Sequence, residues 1–222
     1  MNNLKLLLAS WGLSTEPIIQ TFEKMVGKPR NKINLAIINE AIKGEIGDHR
    51  WFTEELQHLA NTIGGNLEFI DLQSHDLDYI KKRIDANDAV YCFGGNTDYL
   101  ANTFAKTGFD KLLPQILQQK VWVGSSAGSC VLCHKEPAWA QQTIYQEQPE
   151  AERFMEIMPI VFLPHLHGFF EFDRAEVIEA SKLTSLPVYA MSDKSALKIE
   201  DINHPVLIGE DYLVARNSAI EQ

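Results

Sequence analysis

Short apolar runs recur along the chain, separated by longer segments in which apolar residues return with a helical period. Residues 5–9, 33–38, 67–72, 89–93 and 121–123 are rich in Val, Ile and Leu and show little polar alternation, as expected of strands buried on both faces. Between them, residues 17–25, 51–62, 77–84 and 97–119 carry helical patterns, with Pro17 at an early helical position and a break at Thr107-Gly108. Strand, crossover helix and strand in repetition predict a parallel sheet covered by helices.

Beyond residue 133 the pattern loosens. Residues 134–148 are polar and aperiodic, which predicts a long loop or excursion over the edge where a site would lie. A strand returns at 157–163, an amphipathic helix at 172–183 and a strand at 187–191. Residues 196–199, 206–208 and 212–215, separated by Asn203-His204-Pro205 and Gly209-Glu210-Asp211, predict a terminal antiparallel ribbon. No repeat, linker or low-complexity tract divides the 222 residues, so the expectation is an α/β fold with one domain over residues 1–222.

Composition narrows the function classes. A net charge of -10, with no stripe of Lys and Arg, argues against a nucleic-acid partner. The apolar run after Lys5 is too short for a secretory signal and reads as the first buried strand. No run approaches the roughly 20 apolar residues that span a bilayer. Three cysteines, an odd number, form no disulfide framework, so a cytoplasmic protein without a membrane partner is expected, as monomer or homodimer. Cys130 and Cys133 make a Cys-x-x-Cys without a second pair and read, with Cys92, as small core residues.

The chemistry concentrates at Val121-Trp122-Val123-Gly124-Ser125-Ser126-Ala127-Gly128, where a strand enters Gly-x-Ser-x-Gly and helix-compatible residues 129–133 follow. That is the pattern of a nucleophile elbow, with Ser126 lifted clear of the backbone and glycines where side chains would collide. A phosphate-cradling turn is the competing reading of the same residues. Ligands of open α/β sheets bind beyond the carboxyl ends of the strands. Ser126, Gly94-Gly95-Asn96, Pro164-His165 and Ser192-Asp193 all fall at such ends. A serine nucleophile needs a base, and of seven histidines His165 has the right address, with Asp193 able to accept from its other nitrogen. His165 and His167 could instead form a metal pair, although a third ligand at sensible spacing is not evident, and no metal or other cofactor is expected. The alternative for Asp193 is a turn aspartate.

Together the Gly94-Gly95-Asn96 turn, the Gly-Ser-Ser-Ala-Gly elbow, the Pro-His pair and the late acid resemble the peptidase E (α-aspartyl dipeptidase) family over roughly residues 4 to 210. The resemblance implies a class I glutamine amidotransferase-like fold, related also to cyanophycinases, and a serine peptidase acting on a small peptide or amide. It implies Ser126 as nucleophile, His165 as general base, Asp193 as third member, and the Gly95 and Ala127 amides as oxyanion hole. Asn96 and Arg174 become candidate substrate contacts, Arg174 by likeness to an arginine that opens the helix after the Pro-His loop. A solvated surface arginine is the other reading of Arg174. The chain departs from the family at Leu163, where Asn is typical, at Leu166, where an aromatic is usual, and at Asp193-Lys194, where Glu and Gly are common. The alternatives are an amidotransferase-like hydrolase, which would use Cys at the elbow, and a non-catalytic binding protein of the same fold.

Overall fold

The computed structural model describes residues 4–144, 151–168, 172–216 and 219–221. The apolar runs become strands β1 (Leu6–Ala9), β2 (Leu35–Ile38), β3 (Leu67–Phe69), β4 (Ala89–Cys92) and β5 (Val121–Ser125), with every residue buried in all but β3. Helices α1 (Glu16–Val26), α2 (Arg50–Thr62), α3 (Leu77–Asp85), α4 (Thr97–Thr107) and α5 (Phe109–Gln119) connect them. Gly108, at φ 79°, ends α4 and starts α5 where Thr107-Gly108 predicted a break. After β5 come α6 (Ala127–Cys130), α7 (Ala138–Thr143), β6 (Val161–Pro164), α8 (Arg174–Lys182) and β7 (Val188–Met191). Four strands close the chain: β8 (Ser195–Ile199), β9 (Val206–Gly209), β10 (Tyr212–Arg216) and β11 (Ala219–Glu221).

The strands form a seven-stranded sheet of order β3-β2-β4-β5-β1-β8-β9 and a four-stranded sheet of order β11-β10-β7-β6. β1 to β5 run parallel, as the crossover pattern predicted, and β8 and β9 extend their sheet antiparallel. The C-terminal strands are antiparallel as expected but do not make one ribbon. β10 leaves β9 to pair with β7, because its successive residues Val214 and Ala215 complete the two faces of the second sheet. The polar excursion is also more ordered than its sequence suggested: α7 lies within it, seated by buried Ala140 and Ile144, while residues 145–148 of the expected loop lie outside the described ones.

Side chains alternating along the strands divide the interior. Leu7, Ile37, Tyr91 and Val123 face α1 and α2, while Leu8, Ile38, Cys92 and Trp122 face α3 to α6. Phe162, Tyr189 and Met191 of the second sheet join this latter core, and the sheet's other face packs under α8 through Val177 and Ala180. The two sheets thus meet beside α6, directly behind Ser126.

Candidate active site

β5 enters Ser126 through a sharp turn. Ser126 has φ 47° and ψ −113°, a region costly for a residue bearing a Cβ, and its N–H donates to the Ala9 carbonyl at 3.0 Å. A methyl group on Gly124 would lie 2.5 Å from the Gly128 oxygen, and one on Gly128 would lie 2.1 Å from the Cys92 oxygen, so only glycine allows this approach of strand and helix. The Trp122 indole N–H, donating to the Gly128 carbonyl at 3.1 Å, ties the two sides of the turn. The helix after the elbow is shorter than residues 129–133 suggested. The returning chain captures the carbonyls a longer helix would use: Met155 donates to Val131, and Ile157 and Met158 to Leu132.

β6 delivers His165, at φ 68°, and the turn between β7 and β8 delivers Asp193. The Ser126 hydroxyl meets His165 Nε2 at 3.0 Å, and His165 Nδ1 meets Asp193 Oδ1 at 2.7 Å. With Nδ1 protonated, the ring donates to Asp193 and accepts from Ser126, the tautomer that proton abstraction requires. Burial raises the Asp193 carboxyl, but the hydrogen bond and charge of His165 and the hydroxyl of Ser10 outweigh it and hold the group below its ordinary value. His167 lies exposed, also at positive φ, in a tight turn closed by Gly168 N–H on the His165 carbonyl. The segment is therefore not the extended pair that a two-histidine ligand set would use, and among the described residues no three His, Cys, Asp or Glu gather as a metal site.

Gly94 packs against Ser126: a methyl there would stand 3.0 Å from Ser126 Cβ. Gly95, at φ 126°, is wedged against the Ala41 backbone, which brings the Gly94-Gly95 turn and the start of α6 to the same edge. The Asn96 side-chain oxygen caps α4 by accepting from the Tyr99 N–H at 2.7 Å, so its amide NH₂ is the part left to reach outward. Arg174 is exposed at the first position of α8, behind a capping box in which Asp173 accepts from Ala175 and Glu176 while Glu176 accepts from Asp173. Leu163 and Leu166, two of the departures from the family pattern, are buried in the core under α8.

Two residues without a role in the sequence reading stand at this site. Ser10, fully buried just beyond β1, donates to Asp193 Oδ1 at 2.6 Å and accepts from the His165 N–H at 2.8 Å. Glu55 of α2, 2% exposed, accepts from the Tyr91 hydroxyl at 2.6 Å. Burial pushes its carboxyl up against the lowering effect of that hydrogen bond. The cysteines take no part in such chemistry. Burial pushes the Cys92 and Cys133 thiols well above their usual range, where they stay protonated and inert.

The sequence matches peptidase family S51 over residues 6–206. An uncharacterized peptidase of Pasteurella multocida (strain Pm70) is 24% identical over 200 residues, spanning 89% of this chain and 94% of the relative. Among solved structures, a candidate peptidase E protein from Listeria monocytogenes EGD-e superposes with a TM-score of 0.67 at 22% identity, over 96% of this chain and 98% of the other. A peptidase from an acI-B1 Actinobacterium gives 0.69 at 18% identity, over 99% and 93%. These two structures agree in fold, and the match in sequence extends through the elbow and the segments carrying His165 and Asp193. The chain belongs to peptidase family S51 and is a serine-type peptidase.

Proposed function

We propose that this peptidase hydrolyses short peptides through an acyl-enzyme on Ser126, with His165 as general base and Asp193 as its orienting acid. The observation that carries the reading is the unbroken relay from Ser126 Oγ through His165 to Asp193, at 3.0 and 2.7 Å. His165 Nε2 takes the hydroxyl proton as Ser126 Oγ bonds to the scissile carbonyl carbon, and returns it to the leaving amine as the amide breaks. Water, deprotonated by the same nitrogen, then releases the acid and restores the serine. The amides of Gly95 and Ala127 stabilise the oxyanion of each tetrahedral intermediate.

For specificity we propose dipeptides with an N-terminal Asp, its side-chain carboxylate met by Arg174, with Asn96 as a further substrate contact. The exposed guanidinium, without an ion-pair partner among the described residues, is available for this, and an arginine at a helix start runs against the macrodipole preference. Leu163 and Leu166 lie in the core, so neither departure removes a contact to the reacting atoms. We place the protein in the cytoplasm on its buried thiols. Among the described residues no helix is long and apolar enough to cross a membrane.

The test is covalent labelling by a fluorophosphonate, followed by a dipeptide panel with acidic and neutral first residues. Labelling is expected in the parent and Ser125→Ala and absent in Ser126→Ala. Turnover should fall on the order of 10⁴-fold or more without the hydroxyl. Arg174→Met should lower kcat/KM for Asp-X peptides by roughly 30-fold, with neutral peptides little changed. Equal loss on both classes rejects the aspartyl assignment alone, and labelling of Ser126→Ala at the parent rate rejects the nucleophile.

A further inference from the structure

The Ala9-Ser10 peptide touches every member of the relay. β1 lies between β5, which leads to Ser126, and β8, which begins just after Asp193. At its end the Ala9 carbonyl accepts from the Ser126 N–H at 3.0 Å and from the Ser129 hydroxyl at 2.9 Å. One residue on, the Ser10 hydroxyl donates to Asp193 Oδ1, accepts from the His165 main-chain N–H and approaches His165 Nδ1 at 3.3 Å. Ser126 comes from the larger sheet and His165 from the smaller, so their register across the junction is not set by any ladder of strand hydrogen bonds. The Ser10 hydroxyl bridges that junction. Its oxygen holds the backbone of a residue kept at φ 68°, and its proton fixes the carboxylate oxygen that receives the ring.

We propose that Ser10 is a positioning residue of this peptidase, a fourth residue whose hydroxyl aligns His165 and Asp193 with Ser126 and acts through them. The inference rests on the reading of those three residues as the catalytic relay. Fully buried between two polar partners, Ser10 has no access to substrate. Its removal leaves the His165 N–H without its acceptor and Asp193 with one donor fewer, changes that a methyl group does not repair.

Two measurements on the full chain test this. Ser10→Ala should slow fluorophosphonate labelling roughly ten- to hundredfold, the loss expected for one hydrogen bond to a charged group. In an Asp193→Asn background the same substitution should change the rate by about threefold or less, since most of what Ser10 acts through is gone. Multiplicative losses in the double variant would overturn the proposal. Independently of labelling, the downfield proton resonance of His165 Nδ1–H, recorded by NMR in Ser126→Ala, should weaken or disappear when Ser10→Ala is added. An unchanged resonance would also overturn it. If the parent fails to label, the nucleophile assignment falls while the resonance still decides the role of Ser10. Should Ser10→Ala not fold, Ser10→Cys keeps the shape with a weaker donor and is expected to show a partial loss; parent-level labelling there counts against the proposal.

Discussion

At the scale of single residues, Asp193 shows how a partly exposed acid is kept charged. Its side chain is 43% exposed, yet His165 and Ser10 hold its carboxyl below the ordinary value near 3.8. A depressed value means the folded chain gives up this proton before the unfolded chain does. The associated stability is therefore complete above 3.8 and is lost as pH falls through the lowered value. Asp193→Asn should cost roughly 10³- to 10⁴-fold in turnover, because the imidazolium loses its charged partner and its fixed tautomer. It should also remove this acid-side slope from urea midpoints measured against pH, whereas His167→Ala should leave both turnover and slope near the parent. Ser126 was legible because the flanking glycines announce a turn of known geometry. Ser10 was not, since a serine after Leu-Leu-Leu-Ala has no local signature and its partners lie far along the chain. Glu55 could have been found: it shares a helical face with Phe52, Leu56 and Leu59, where a carboxylate is out of place.

At the scale of elements, that misplaced acid couples α2 to β4. Burial raises the Glu55 carboxyl, so the folded chain holds this proton more tightly than the unfolded chain does. Native stability then decreases as pH rises above about 4.5, until the raised value is passed. Glu55→Gln keeps the shape and an oxygen for the Tyr91 hydroxyl but cannot ionise. Its urea midpoint should gain on the parent as pH rises above 4.5, and parallel midpoints there would reject a raised Glu55 carboxyl. The strands themselves were legible because burial on both faces leaves a run without polar alternation. What escaped was the helix at Ala138–Thr143, held by tertiary contacts rather than by its own period. Asp98 shows the source of that order, accepting from Lys135, Gln141 and the Ala151 N–H and so fastening the polar excursion to the first turn of α4. Likewise, β10 has the alternation of any strand, and no local pattern states that it joins β7 rather than β9.

At the scale of the whole molecule, the two sheets have separate consequences for stability and for activity. Phe162 of β6 is 1% exposed in the core shared by both sheets, two residues before Pro164, and its carbonyl accepts from the Cys130 thiol of α6 at 3.6 Å. It thus lies between the helix that follows Ser126 and the strand that delivers His165. Phe22 of α1 is equally buried but belongs to the opposite core, among Leu7, Ile37 and Val123. Truncating either ring to alanine should cost about 3–5 kcal/mol, lost burial and cavity together. The losses in activity should differ. A cavity behind β6 lets the smaller sheet settle, and a displacement near 1 Å at His165 is enough to reduce catalysis about a hundredfold. Phe22→Ala leaves that junction intact, so at a urea concentration where both variants remain folded it should retain most of the parent kcat while Phe162→Ala does not. Equal kcat in two variants of matched stability would mean that the sheet junction does not control the alignment of Ser126 with His165.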